Sequence, residues 1–226
     1  MRDVAFVVPV YNEAEVIGSV IADVLTVCPT IVCVNDGSSD ASAAEIVKAG
    51  GYLVDHPINM GQGAALQTGI EFARALPHIQ RFVTFDADGQ HLVADAVRML
   101  ELLATEDLDI VLGSRFLGDT VGASGAKKLL LKAAVKFSNA TSGIRLTDAH
   151  NGLRAFNRHV AETMEITASD MTHASEIIEL IAANDYRYRE VPVTIHYTDY
   201  STSKGQASVN AVNIAVDTLL RRVTRS

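Results

Sequence analysis

Short runs of strand-forming residues alternate with amphipathic stretches along the first half of the chain. Strands are predicted at residues 4–10, 31–34, 52–54, 82–85 and 108–112. Helices, in which apolar residues recur at helical spacing, are predicted at about 16–25, 41–48, 59–75 and 92–104. Because strand and helix alternate without a break from residue 4 to about residue 113, the pattern predicts an α/β fold with a mostly parallel, doubly wound central sheet flanked by helices.

Polar segments follow three of the predicted strands. They are Tyr11-Asn12-Glu13, Asp36-Gly37-Ser38 and Asp86-Ala87-Asp88. The carboxyl ends of parallel strands lie along one edge of a sheet, which is where open α/β sheets bind ligands. We therefore expect the three segments to line one crevice. Asn12 is also predicted to be the N-cap of the first helix.

The central predicted strand delivers two carboxylates, Asp86 and Asp88, to a loop. Residues i and i+2 of a strand share one face, so these two side chains converge if the strand geometry persists through them. Two acids held that close repel each other unless a cation or a group of donors lies between them. Oxygen ligands of this kind favour Mg²⁺ or Mn²⁺ together with substrate phosphates. A metal site is the leading interpretation, and an acidic, solvated turn is the alternative.

The pattern changes after residue 115. Residues 117–125 are predicted to form a polar loop, and residues 127–137 an amphipathic helix that carries Lys127, Lys128, Lys132 and Lys136. A basic amphipathic helix in an acidic protein favours contact with an anionic membrane surface. The alternative is a helix that packs on the core with a solvated lysine face. A last helix, predicted at about 207–223, either covers the core or pairs with a second subunit in a homodimer.

Charged side chains suited to phosphate chemistry lie between residues 144 and 158. Arg145 and Arg154 are candidates to bind phosphate, because the guanidinium group matches phosphate geometry. Asp148 could accept a proton from an acceptor hydroxyl if it lies near the crevice. The alternative is a surface turn with salt bridges.

Composition narrows the classes of function. The 226 residues suit one large α/β domain, and a net charge of −8 argues against nucleic acid as the main partner. Cys28 and Cys33 fit neither a disulfide framework nor a metal motif, which indicates free thiols in a reduced compartment. We expect no signal peptide, and no apolar run of the sequence approaches the ~20 residues of a membrane-spanning helix. We expect a cytoplasmic protein, peripheral on the inner face of the cell membrane if the basic helix binds there.

Seven short segments, spread in order over nearly the whole chain, resemble those of one family. They are residues 8–13, 35–40, 59–63, 86–91, 113–115, 151–156 and 190–193. Together they resemble the family 2 glycosyltransferases with the GT-A fold, and most of all the dolichol-phosphate mannosyltransferase and polyprenyl-phosphate sugar transferase branch. The resemblance implies a single GT-A domain over residues 1–226. Its nucleotide-sugar-binding half would be 1–115, and its acceptor-binding half, with the C-terminal helix, 116–226.

The resemblance implies roles for individual residues. The nucleotide sugar is expected to contact Pro9, Tyr11, Asn12, Glu13, Asp36, Asp86, Ala87, Asp88 and Lys204. A divalent metal, Mg²⁺ or Mn²⁺, is expected at Asp86, Asp88 and Gln90. An acceptor or donor phosphate is expected at Arg115, Arg145 and Arg154. Asp148 and Arg115 are the expected catalytic residues, with Asp148 as the base for a hydroxyl acceptor; the reaction of this branch inverts the anomeric carbon.

Three positions depart from the family's pattern. Gln62 stands where the family usually has Lys, Thr198 where the mannosyltransferases have Arg, and His150-Asn151 where Ser commonly precedes Gly. These changes bear on mannose and dolichol specificity and leave the nucleotide and metal site intact. The leading hypothesis is a metal-dependent, inverting transferase that moves sugar from a nucleotide-diphosphate sugar to a polyprenyl phosphate or lipid-linked glycan. The alternatives are a soluble glycan or protein acceptor, and a non-catalytic sugar-nucleotide-binding scaffold subunit.

Overall fold

The structure is a computed structural model that describes residues 1–118, 120–121, 144–148, 150–170 and 172–196. The strands are β1 (Val4–Val10), β2 (Ile31–Asp36), β3 (Tyr52–His56), β4 (Arg81–Thr84), β5 (Ile110–Ser114), β6 (Thr120–Val121), β7 (Arg154–Asn157), β8 (Tyr188–Pro192) and β9 (Ile195–His196). The helices are α1 (Ile17–Leu25), α2 (Ser42–Ala49), α3 (Gln62–Arg74), α4 (Val93–Thr105), α5 (Arg158–Thr163) and α6 (His173–Ala183).

Seven of these strands form one central sheet in the order β3-β2-β1-β4-β7-β5-β8. All neighbouring pairs are parallel except those of β7, which runs antiparallel to both β4 and β5. The short strands β6 and β9 pair in parallel. The predicted α/β fold with a mostly parallel sheet is confirmed. Because β2, β1 and β4 are neighbours, their polar carboxyl ends lie side by side at one edge.

The sequence pattern does not predict strand β7, which the structure inserts between β4 and β5. Only four residues form it, and a cationic and an amide side chain flank its two apolar residues. The strand is stabilised by long-range pairing, in which Phe156 lies opposite Phe82 and Arg154 lies opposite both Thr84 and Leu112. Through this insertion, Arg154 reaches the sheet edge at which the polar segments converge.

Helices cover both faces of the sheet. On one face, α1, α2 and α4 contribute residues such as Ile21 and Met99 to an apolar cluster. On the other face, α3, α5 and α6 contribute residues such as Ile70 and Ile177. Burial on both faces explains why β1 is apolar throughout its length. The two cysteines are buried free thiols, as predicted.

The first helix begins later than the sequence predicts. It starts at Ile17 with Val16 in the N-cap position, so the prediction that Asn12 is the N-cap is wrong. Asn12 instead has a φ of 55°, a left-handed conformation in which asparagine is enriched. Its Oδ1 accepts a hydrogen bond from Ser39 N at 2.8 Å, which ties the loop after β1 to the loop after β2.

Three predicted features lie outside the described residues. They are the basic helix at 127–137, Lys204, and the last helix at 207–223. Among the helices that the structure describes, none is both long enough and apolar enough to cross a bilayer.

We expect Phe156→Ala to lower the free energy of unfolding by about 3–5 kcal/mol. Phe156 is fully buried and stacks on Phe82 with 5.6 Å between the ring centroids, so truncation leaves a cavity beneath β7. Urea denaturation followed by circular dichroism measures the loss. Phe72→Ala, at a 37% exposed position of α3, is the matched control and should cost clearly less. Equal losses for the two variants would contradict the central position of β7.

Candidate functional site

A cleft of about 370 Å³ opens at the carboxyl ends of β1, β2 and β4. Of the residues expected from the sequence, it is lined by Pro9, Tyr11, Glu13, Asp36, Asp86, Ala87, Asp88 and Arg154. Other lining residues include Gln62, His150, Asp170 and His173. The expected residues that do not line it, among those described, are Asn12, Gln90, Arg115, Arg145 and Asp148. The three polar segments therefore meet at one crevice, with residues from the second half of the chain in its wall.

The loops after β1 and β2 hold each other in place. Asn12 N donates to Ser38 Oγ at 2.9 Å, and Glu13 N donates to Ser42 Oγ at 2.8 Å. These bonds fix the backbone beside Tyr11, a half-exposed residue that lines the cleft. Asn12 therefore shapes the cleft from behind, and its direct contact with a nucleotide stays a prediction.

Asp36 fixes the loop that precedes α3. Its Oδ1 accepts a hydrogen bond from Met60 N and its Oδ2 one from Gly61 N, both at 2.8 Å, and His56 Nδ1 lies 2.8 Å from Oδ1. Gly61 has a φ of 94°, and a Cβ there would lie 2.2 Å from Ser169 O, so only glycine fits. A carboxylate has about four acceptor positions. Asp36 can therefore hold this loop and still accept a hydrogen bond from a ligand.

Asp86 is surrounded by donors. His91 Nε2 donates to Asp86 Oδ2 at 2.9 Å, and Gln62 Nε2 donates to Oδ1 at 3.3 Å. Burial by itself raises the pKa of Asp86, but the hydrogen bond from His91 and the charges of His91 and Arg154 outweigh it. The net pKa of Asp86 lies below its ordinary value, so this carboxylate is ionised at neutral pH.

Asp88 is in the opposite electrostatic situation. Burial and, next, repulsion from the Asp86 carboxylate raise the pKa of Asp88 to about 6. Gln90 offsets part of this cost, because Gln90 N donates to Oδ1 at 3.1 Å and Gln90 Nε2 donates to Oδ2 at 2.6 Å. The uncompensated negative charge of the pair therefore falls on Asp88, which favours binding of a cation there.

The chemistry of these side chains fits a hard divalent cation. Asp86, Asp88 and Gln90 offer carboxylate and amide oxygens, the ligand type that Mg²⁺ and Mn²⁺ prefer. No group of three or more His, Cys, Asp or Glu side chains in the described part of the chain could hold a metal by itself. Substrate phosphates commonly complete a Mg²⁺ site of one or two carboxylates, and that arrangement suits these residues.

Arg154 brings a buried cation into the cleft wall. The residue is only 4% exposed, and its Nη1 has no hydrogen-bond partner among the described residues. Burial lowers the pKa of Arg154 to about 10, which still leaves it charged at neutral pH. A buried donor without a partner is costly unless a ligand completes it. The wall is therefore prepared for an anionic group.

Two histidines line the same cleft in the neutral form. Burial lowers the pKa of His150 to about 4 and that of His173 to about 4. His173 Nδ1 lies 2.7 Å from Asp170 O, whereas His150 Nε2 is buried without a partner among the described residues. Neutral imidazoles add hydrogen-bonding groups to the cleft and leave its charge to the acids and Arg154.

Asp148 and Arg115 form a buried ion pair behind the cleft wall. Arg115 Nε donates to Asp148 Oδ2 at 2.6 Å, and the Asp148 carboxylate is 1% exposed. The expected roles of Asp148 as a base and of Arg115 as a phosphate ligand stay predictions, and the observed contacts favour a bracing role. Arg145 is exposed on the same loop.

Sequence reasoning missed two histidines that shape the site. His91 directly follows the Asp-x-Asp-Gly-Gln segment, and a histidine beside two carboxylates is the signal that could have identified it. Nothing local marks His173. It reaches the cleft because the segment that precedes it packs on the first turn of α3, where Gly63 N donates to Ser169 O at 2.8 Å.

Comparison with known proteins gives a family match. The protein-family model described as "Glycosyl transferase family 2" matches residues 5–164 of this chain. The polyprenol monophosphomannose synthase of Mycolicibacterium smegmatis is 29% identical over 215 residues, covering 89% of this chain and 80% of the relative. The UDP-N-acetylglucosamine–dolichyl-phosphate N-acetylglucosaminyltransferase of Methanococcus voltae is 27% identical over 222 residues, covering 88% of each. These matches confirm the resemblance carried by the sequence motifs.

A solved structure shows the same fold. Glucosyl-3-phosphoglycerate synthase from Mycobacterium tuberculosis, crystallised with Mg²⁺ and uridine diphosphate, is similar with a TM-score of 0.69. The match has 19% sequence identity and covers 98% of this chain and 79% of that one. The GT-A fold expected from the sequence is confirmed.

We expect Asp88→Asn to stabilise the metal-free protein above about pH 6 by roughly 1–2 kcal/mol. The raised folded-state pKa of Asp88 means that the native state binds more protons than the unfolded state between about pH 4 and pH 6. The wild type therefore loses stability as the pH rises through this window, and the Asn variant does not.

Urea unfolding in EDTA, repeated from pH 4.5 to 7.5, measures the difference between the two proteins. Asp23→Asn, which removes an exposed carboxylate of α1, is the matched control. A stability gain for Asp88→Asn that is absent at pH 7.5, or that shrinks as the pH rises, would contradict the repulsion between Asp86 and Asp88.

Proposed function

Since the chain belongs to glycosyl transferase family 2, we propose that it transfers a hexose from a nucleoside-diphosphate sugar to a polyprenyl phosphate or lipid-linked glycan. The observation that carries this proposal is the buried Arg154 guanidinium, which shares a cleft with the Asp86–Asp88 pair. Anionic substrate groups are the ligands that satisfy both features, because phosphate oxygens pair with a guanidinium and complete the coordination of a cation on carboxylates.

The donor occupies the part of the cleft formed by the β1, β2 and β4 loops in this proposal. Tyr11 and Asp36 contact the nucleoside, with Pro9, Glu13 and Ala87 forming the surrounding wall. Asp86, Asp88 and Gln90 hold a divalent metal that, when bound, neutralises the charge that grows on the leaving diphosphate. Lys204, expected on a loop that closes over the donor, lies outside the described residues.

A phosphate acceptor suits the surroundings of Arg154. Two relatives named above act, by their names, on dolichyl phosphate and on a polyprenol. A phosphate is already ionised at neutral pH, so its direct attack on the anomeric carbon, with inversion, needs little help from a base. The proposed chemistry therefore needs Arg154 more than it needs Asp148 as a base, and phosphate contacts of Arg115 and Arg145 remain predictions. Membrane contact through residues 127–137 and pairing of two subunits remain predictions.

Metal-dependent binding of one nucleotide is the first expected result. We expect calorimetric titration with UDP, GDP and dTDP to show binding of one of them in Mn²⁺, and at least tenfold weaker binding in EDTA or in Asp88→Ala. Glu101→Ala removes an exposed acid on α4 and should bind like the wild type. A folded wild type that binds none of the three would overturn the transferase proposal and favour the scaffold alternative.

We expect Arg154→Met to reduce sugar transfer in a protein that still folds. Met keeps the approximate length of the side chain but removes a positive charge that compensates Asp86, so the free energy of unfolding should fall, by up to about 3–5 kcal/mol. Sugar transfer should fall by about 100-fold or more, because a charged donor aimed at the substrate is lost. Transfer from UDP-glucose, UDP-N-acetylglucosamine and GDP-mannose to undecaprenyl phosphate in detergent is the assay.

Arg189→Met, which breaks an exposed ion pair with Glu106, is the control for loss of an arginine. Unchanged transfer by the Arg154 variant would remove the observation that carries the proposal. Transfer by the wild type to water-soluble acceptors alone would instead support the soluble-acceptor alternative.

A further inference from the structure

One carboxylate on β8 organises a loop that is distant in sequence. Glu190 Oε2 accepts a hydrogen bond from Thr147 N at 2.7 Å, and Oε1 accepts one from Asp148 N at 2.9 Å. Thr147 Oγ1 also donates to Oε1, at 3.0 Å. Two consecutive backbone N–H groups and a hydroxyl therefore depend on one side chain more than 40 residues away. Loop donors of this kind are costly to leave unpaired.

The loop held by Glu190 in turn holds Arg115. Asp148 Oδ2 accepts hydrogen bonds from Arg115 N at 3.0 Å and from Arg115 Nε at 2.6 Å. The planar guanidinium is thereby oriented, and its Nη2 donates to His150 O at 3.0 Å. Asp148 Oδ1 accepts from His150 N at 3.3 Å. Both backbone polar groups of His150, a lining residue of the cleft, are thus fixed from behind.

A second contact joins the same two loops. Ser114 Oγ and Thr147 Oγ1 lie 2.7 Å apart, so the residue before Arg115 is tied to the residue that Glu190 binds. Glu190, Ser114 and Thr147 do not line the cleft. Any effect of Glu190 on the reaction must therefore pass through the residues that it holds.

We propose that Glu190 is a positioning residue for the sugar transfer. Through Thr147, Asp148 and Arg115 it sets the cleft wall at His150; we call these five residues the Glu190 network. In this network Asp148 orients Arg115 and the backbone of His150. This positioning role takes the place of the role as a base that the sequence predicts for Asp148. The inference rests on the proposed function, because its effect on catalysis needs the transfer reaction.

The chemistry of the contact supplies a sharp substitution. A carboxylate offers only acceptors, whereas the amide of Glu190→Gln turns one oxygen into an NH₂ donor that faces the N–H donors of the loop. The side chain keeps its size, so packing on β8 is preserved. Glu106→Gln is the matched control. Glu106 forms an exposed ion pair with Arg189, which neighbours Glu190 on β8.

We expect Glu190→Gln to lower kcat for transfer to undecaprenyl phosphate by about 10- to 100-fold, the size expected when a reacting group is misplaced by about 1 Å. The Kd for nucleotide with Mn²⁺ should stay within about twofold, because the β1, β2 and β4 loops form that part of the cleft. Asp148→Asn should lower kcat to a similar extent, and the double variant should be no worse than the more impaired single variant, because both act through one network.

A kcat within twofold of the wild type, a multiplicative loss in the double variant, or an equal loss of nucleotide binding would each overturn the proposal; the last would indicate a general structural defect. If the wild type itself transfers no sugar, the proposed function fails separately. Amide hydrogen exchange then tests the Glu190 network. The network is supported if the backbone amides of Thr147, Asp148 and His150 exchange faster in Glu190→Gln than in Glu106→Gln, and it is overturned if they exchange equally fast.

Discussion

Two carboxylates one residue apart cannot both be ionised in a buried cleft without compensation, and the candidate site is built around this repulsion. His91, Gln62 and Arg154 all compensate Asp86 by hydrogen bonds or charge. Among the described residues, Asp88 receives hydrogen bonds from Gln90 of its own loop, and its pKa rises to about 6. The protein therefore compensates the charge of Asp86 with its own residues and leaves the charge of Asp88 to be compensated by a ligand. A divalent cation bound to a diphosphate would supply the positive charge that Asp88 lacks.

Compensation for Asp86 requires residues that are far apart in sequence. Arg154 enters through β7, the antiparallel strand inserted beside β4. The turn before it must approach Asp86 closely, and a Cβ at Gly152 would lie 2.2 Å from Asp86 Oδ2, so a larger residue would push the turn away. The insertion of one short strand thus brings the second half of the chain to the acids delivered by the first half.

The sequence predicts features that depend on local pattern. Continuous apolar runs predict β1 and β2, and polar residues directly after strands predict the segments that meet at the cleft. It does not predict β7, because a segment of four residues that begins with a charged residue has no strand pattern. The strand is stabilised by packing, in which Phe156 stacks on Phe82. The N-cap assigned to Asn12 fails for a related reason: its side chain satisfies a loop 27 residues away rather than the nearby helix. Residues such as His173 become part of the site only through packing between distant segments.

Several acids near the cleft accept hydrogen bonds from loop backbone, which stabilises the walls of the proposed donor site. Asp36 accepts backbone N–H groups of the loop before α3. Glu176 does the same for Thr167 and Ala168, in the segment that packs on that loop. Glu190 does so for the loop that lies behind the cleft wall at His150. Loop backbones lack the ladders that satisfy helices and strands, so carboxylates supply acceptors where the fold has none. These carboxylates thereby shape the walls of the cleft, whereas the raised pKa of Asp88 shows that its own charge is poorly compensated.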